Sequence, residues 1–165
     1  MKKIIFIRHA KSSWNSGAST DFDRPLNDRG RRDAPIMANK LKDIIPEVDG
    51  IIKSPSRRTN QTAEFFIDAF GLNEQQVISE RALYHSSLST IMDHVQSLPA
   101  EWNTVLLFAH NPGMTYIAEY FGMYDVENVP TCGMTLVESN VKDWAALNNE
   151  NSKIIAFEYP KKYSR

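Results

Sequence analysis

The chain has 165 residues, a formal charge of −1, 42% hydrophobic and 24% charged residues and one cysteine, Cys132. That length sustains one core without disulfides or metals, so a single domain over residues 1–165 is expected. The balanced charge gives no global attraction to nucleic acid or to a membrane surface, and the lone cysteine excludes an internal disulfide and suits a reducing compartment.

Met1-Lys2-Lys3 opens like a signal peptide, but the apolar run behind it stops at Arg8, short of the ~7–15 residues of an h-region. No run reaches the ~18 apolar residues of a membrane span, so a soluble cytoplasmic protein is expected. Residues 2–8 read as a strand buried on both faces, apolar without alternation. Residues 10–27 form a polar loop longer than a packing connection needs. A helix over 28–45 carries Met37, Leu41, Ile44 and Ile45 on one face, with a kink or an irregular first turn expected at Pro35, and it ends at Pro46.

Asp49–Lys53 is a second short strand. Ser54-Pro55 opens a helix of about 56–70, stopped by Gly71. A weak strand over 75–79, a helix over 87–97 and a clear strand over 104–109 follow. Asn111-Pro112 reads as an N-cap and a proline at the first helical position. The helix behind it runs to Gly122, and residues 123–132 form a loop. Residues 134–138 and 153–159 are the last two strands, and the tail 161–165 is expected to fray. Alternation of strands and helices predicts an α/β fold with a mostly parallel sheet and helices on both faces; strand order does not follow from spacing.

Three junctions share one theme. The first strand ends in Arg8-His9, the second in Ser54-Pro55-Ser56-Arg57-Arg58, and the 104–109 strand in His110-Asn111-Pro112. Parallel strands would bring all three to the carboxyl edge of the sheet, where ligands of open α/β sheets bind. Arginine forks and helix N-termini there suit a phosphate dianion. A histidine held among arginines stays neutral and nucleophilic. Each piece alone has a plain alternative: a strand-end histidine caps or packs, Arg57-Arg58 is a solvated face, and Cys132 is a small buried filler.

The ordered set of motifs resembles the histidine phosphatase superfamily, the phosphoglycerate-mutase-like fold, and within it the small SixA-type phosphohistidine phosphatases. Arg8-His9-Ala10 stands for the family's Arg-His-Gly, and Trp14-Asn15 for its Trp-Asn. Arg24-Pro25-Leu26-Asn27 with Gly30 resembles the opening of its first helix. Ser54-Pro55, Arg58 and Gln61-Thr62-Ala63 match its second motif, and Ala109-His110-Asn111 its second histidine. The resemblance implies a three-layer α/β/α sandwich in which His9 is the nucleophile that becomes phosphorylated. Arg8, Arg58 and His110 would hold the phosphoryl oxygens with help from Asn15, and Asn111 and His85 would stand on the substrate-binding side. No cofactor is implied, and the four histidines lack paired metal-ligand spacing.

The departures bear on the substrate. Ala10 replaces glycine, which is tolerated if φ stays negative there. Lys11 replaces an acidic residue and either adds charge to the site or faces solvent. Many members place a glutamate near Tyr84-His85 as general acid for an alcohol leaving group; no carboxylate stands there, and Glu80 lies too early. His85 is read as a rim residue or a substitute acid, and Asp21 and Asp23 as turn formers or a second source of a carboxylate. An alkoxide needs a proton as it leaves, whereas imidazole, with a reference pKa of ~6.5, is protonated from solvent. The expected substrate is therefore a protein phosphohistidine. The alternatives are a phosphomonoesterase acting on a small metabolite or phosphopeptide, and a phosphate-binding module without turnover. Mutase activity is not expected, because re-donating the phosphoryl group favours a closed site and an acid.

Overall fold

The structure is a computed structural model that describes residues 1–163. Its main elements are β1 (Lys2–Arg8), α1 (Asp28–Ile44), β2 (Gly50–Lys53), α2 (Arg57–Phe70), β3 (Val77–Ser79), α3 (Leu88–Gln96), β4 (Thr104–Ala109), α4 (Gly113–Tyr120), β5 (Met134–Ser139) and β6 (Ser152–Glu158). The strands form one sheet in the order β3-β2-β4-β1-β5-β6. The pairs β3·β2, β2·β4 and β4·β1 are parallel, and β5 runs antiparallel to both β1 and β6.

The unbroken apolar runs of β1 and β4 follow from their central positions. Ile4, Phe6, Val105 and Leu107 pack on one face with Ile91 and Val95 of α3 and Ile117 of α4. Ile5, Ile7, Leu106 and Phe108 pack on the other with Met37 and Leu41 of α1 and Phe66 of α2. Each such side chain contributes roughly 1.5–3 kcal/mol when fully buried, so neither face can be left to solvent. The result is the expected three-layer α/β/α sandwich.

Helix ends follow their local chemistry. The side chains of Asn27, Ser56 and Ser87 cap α1, α2 and α3, and Gly71 ends α2 in the left-handed region (φ 64°). α1 continues through Pro35 as one helix. Two expectations are corrected. α4 starts at Gly113, with Pro112 rather than Asn111 at the capping position and a cis Asn111–Pro112 bond. Residues 160–163 are packed rather than frayed: 160–162 form a 3-10 turn, the Tyr163 hydroxyl donates to Glu158, and Lys40 sits over the Tyr163 ring. Ser164 and Arg165 of that tail lie outside the described residues.

Register brings the three junctions together. Arg8 pairs with Ala109 and Lys53 with Phe108. His9 N–H donates to the Ala109 carbonyl and Ser54 N–H to that of Phe108. Arg8-His9, Ser54 and His110 therefore leave the sheet side by side.

Candidate active site

His9 is buried, and its Nδ1 lies 2.8 Å from the Ala10 carbonyl. A carbonyl only accepts, so Nδ1 carries the proton and Nε2 keeps its lone pair. Arg58 Nε donates toward that Nε2 at 3.3 Å. Burial, then the neighbouring His110, Arg58 and Arg8, holds the His9 pKa well below its ordinary value despite the bond to Ala10. The ring is neutral at physiological pH, with Nε2 unprotonated and accepting from Arg58.

His110 has the complementary arrangement. Arg58 Nη2 lies 3.4 Å from its Nδ1, and a guanidinium only donates, so Nδ1 accepts and Nε2–H donates to Ser54 Oγ at 2.8 Å. Burial first and the Arg58 charge second push its pKa down to about 3. The two rings are 5.3 Å apart, centroid to centroid. Arg8 Nη1 donates to the Val129 carbonyl, while Arg8 Nε is buried with no partner among the described residues. Two guanidinium groups, one with a buried donor unspent, beside two neutral imidazoles make a site for a tetrahedral oxyanion.

Asp21 is the main departure from the sequence reading. It belongs to the 3-10 turn Asp21–Asp23 of the long loop, and it turns inward rather than only shaping that turn. Arg58 Nη1 donates to its carbonyl (2.6 Å) and Arg58 Nη2 to its Oδ2 (2.9 Å). The same Oδ2 accepts from the Tyr84 hydroxyl (2.5 Å) and meets His85 Nε2 (3.1 Å), and Oδ1 accepts from Arg24. Burial alone would raise its pKa, but the bonds from Tyr84, His85, Arg58 and Arg24 outweigh that and hold it well below the carboxylate range. A carboxylate thus reaches Tyr84-His85 from 63 residues upstream. Asp23 keeps the local role, accepting from Thr20.

These groups line an open cleft of ≈ 230 Å³, together with Lys11, Trp14 and Arg24. Lys11 belongs to the cleft wall, and the Trp14 ring, 75% exposed, is stacked on the Arg24 guanidinium. Among the described residues no three His, Cys, Asp or Glu side chains are grouped to hold a metal ion.

The family model of the histidine phosphatase superfamily (branch 1) matches residues 4–88. The chain belongs to the histidine phosphatase superfamily. Within it, the chain is similar to phosphohistidine phosphatase SixA of Escherichia coli, 26% identical over 70% of this chain and 71% of that one. A solved structure of a SixA-like candidate phosphohistidine phosphatase from Agrobacterium tumefaciens is 25% identical, with a TM-score of 0.81 over 96% of this chain and 98% of that one. A mycobacterial glucosyl-3-phosphoglycerate phosphatase (TM-score 0.66, 17% identity, 94% and 97% covered) shares the fold alone.

The second motif of this histidine phosphatase has a physical reading. Thr62 Oγ1 accepts from Ala10 N–H and donates to the Arg58 carbonyl, and Gln61 Oε1 accepts from Leu26 N–H. The α2 residues after Arg58 thereby fix both ends of the 10–27 loop. Ala10 avoids positive φ, so its methyl is accommodated.

Two predicted site residues are placed differently from the rest. Asn15 is exposed, its N–H bonded to Ser13 Oγ, and it is not among the cleft-lining residues. Asn111 lines the cleft, but its polar atoms are spent: Nδ2 donates to the Val129 carbonyl and Oδ1 accepts from Thr115. It fastens the start of α4 rather than offering donors. Arg57 turns outward toward the Asp23 carbonyl, and Glu80 caps the 81–83 turn. Sequence reasoning missed Ser54 as the partner that orients His110. It underweighted Asp21, although Asp21 and Asp23 are the only carboxylates between Arg8 and Asp28.

Proposed function

We propose that this chain is a metal-independent phosphatase that hydrolyses phosphohistidine on a protein through a covalent intermediate on His9. His9 Nε2 attacks phosphorus, the P–N bond to the substrate ring breaks, and Arg8 and Arg58 hold the phosphoryl oxygens, joined by His110 as its Nε2–H exchanges the bond to Ser54 for one to the phosphoryl group. Water then attacks phosphorus, the bond to His9 Nε2 breaks, and phosphate leaves. Because Nδ1–H stays on the Ala10 carbonyl, His9 departs in this second step as a neutral imidazole.

The observation that carries the reading is the fixed tautomer of His9, which aims one unprotonated nitrogen into an arginine-lined cleft. Substrate class is supported by similarity to SixA over most of the chain. The cleft is small and open, suiting a phosphorylated side chain presented on a protein surface.

Rapid quenching with a 32P-labelled phosphohistidine protein is expected to trap an acid-labile, base-stable phospho-enzyme that is absent from His9→Ala. Covalent label or undiminished turnover in His9→Ala would overturn the assignment of the nucleophile. Turnover of alkyl phosphates with none of phosphohistidine would overturn the substrate class. Saturable phosphate binding with no hydrolysis of either would make the chain a binding module.

A further inference from the structure

We infer that His85 is a proton donor at the leaving-group side of this cleft, held in place by Asp21, and that it gives the enzyme a second activity as a phosphomonoesterase. The inference rests on the assignment of His9 as nucleophile.

His85 lines the cleft, half-exposed, with its ring 5.2 Å from that of His110. His110 in turn stands beside His9, so His85 is one ring removed from the phosphoryl site. Its backbone is left-handed (φ 52°), a conformation that a non-glycine residue keeps only where the surroundings impose it. The surroundings are identifiable. Tyr84 N–H closes the 81–84 turn onto the Arg81 carbonyl, and Ser86 Oγ donates to the Leu83 carbonyl. Behind the loop the start of α4 leaves no slack: a Cβ on Gly113 would stand 2.9 Å from the Ser86 carbonyl oxygen. Phe22 packs edge-on against Tyr84, and Arg81 lies over the Phe22 ring, which folds the loop that carries Asp21 onto this turn.

The charge state of Asp21 fixes the chemistry of His85. An ionised carboxylate only accepts, so the 3.1 Å contact to Oδ2 is an Nε2–H donor bond. Nδ1 is then the nitrogen left to exchange protons with a ligand in the cleft. This is the logic of a carboxylate-oriented histidine, here serving an acid. As His9 Nε2 bonds to phosphorus and the P–O bond of an ester breaks, His85 Nδ1–H passes its proton to the departing oxygen, which leaves as the alcohol. In the second step water bonds to phosphorus, the P–N bond to His9 breaks, and the proton of that water goes to His85 Nδ1. His85 ends as it began. Asp21 does not touch the reacting atoms and is a positioning residue.

The test is a series of phosphate monoesters of rising leaving-group pKa, from p-nitrophenyl to alkyl, run on the full chain with His85→Gln and Asp21→Asn. Wild type is expected to turn over alkyl esters. His85→Gln is expected to lose activity progressively along the series, by roughly 10²–10⁴-fold at the alkyl end and far less for p-nitrophenyl phosphate. Asp21→Asn is expected to steepen the same dependence, with Asp21→Glu restoring part of it. A uniform loss across the series in either variant would mean a structural or phosphate-binding role and would sink the inference, as would a wild-type enzyme inert toward alkyl esters. Those results leave phospho-His9 trapping intact, whereas failure of the nucleophile assignment would show as label or turnover surviving in His9→Ala.

Discussion

At the scale of single residues, the cleft is assembled from groups that fold only in a disfavoured charge state, and this makes stability depend on pH. His110 titrates near 6.5 in an unfolded chain and near about 3 when folded. Between those values the unfolded state binds the extra proton, so stability is full above pH 6.5 and is lost as pH falls toward 3. Between pH 7 and pH 5 the loss from His110 is about 2 kcal/mol, and His9 adds to it with the same sign. Thermal melts in phosphate-free buffer are expected to show Tm falling over that interval, with a shallower fall in His110→Gln. A Tm that is flat or rises on acidification contradicts the neutral-pair geometry. Asp21, whose pKa is depressed, stabilises above the carboxylate range and loses that only at lower pH, so the two effects fall in separate windows. Arg8, His9, Arg58 and His110 were legible in the sequence because each sits within a few residues of a strand end, where local order gives direction. Asp21 was not, because its partners Arg58, Tyr84 and His85 come from remote segments and nothing local distinguishes it from Asp23.

At the scale of elements, the first turn of α1 is pinned to the start of the 10–27 loop. Asn27 N–H donates to the Lys11 carbonyl, and Gly30 N–H donates to Asn27 Oδ1. A Cβ on Gly30 would lie 2.1 Å from that same Lys11 carbonyl oxygen, a backbone atom with little room to move. Helix propensity alone would favour Gly30→Ala by about 1 kcal/mol. The clash is expected to cost about 1–3 kcal/mol, so the net sign reverses or the gain is cancelled. Urea unfolding measures this: a midpoint raised by the full propensity gain would refute the close approach. Activity is expected to fall as well, since the displaced carbonyl is two residues from His9. The motif Pro25-Leu26-Asn27 with Gly30 was readable as a string, but its reason was not, because the approach is between a helix and a loop that precedes it by nearly twenty residues. The elements themselves followed from periodicity and punctuation. Where Asn111-Pro112 misled, the cap shifted by one residue, and at Pro35 packing against the sheet carries the helix onward: α1 buries Ala34, Met37, Ala38 and Leu41 across the proline.

At the scale of the whole molecule, strand order decides everything and was not in the sequence. β1 could have neighboured β2, but it lies between β4 and β5, and β4 separates it from β2. Pairing of strands a hundred residues apart, such as Ile5 with Leu106, is nonlocal and leaves no periodic trace. One consequence of that order is that the proposed oxyanion donors come from β1, α2 and the end of β4, and the 10–27 loop closes on them through Asp21. Binding of a tetrahedral oxyanion should therefore tighten several separate segments at once. Orthovanadate at 100 times its Kd stabilises by about 2.7 kcal/mol, which for a chain of this size is a rise of roughly 5–11 °C in Tm. The rise is expected to saturate at vanadate concentrations far below those at which salts act generally. Hydrogen exchange is expected to slow together at residues 8–15, 20–26, 54–62, 83–86 and 110–114, and to stay unchanged in β6 at the far edge. Protection confined to one of those segments would mean that the junctions bind anions separately, and that the cleft is not a single site.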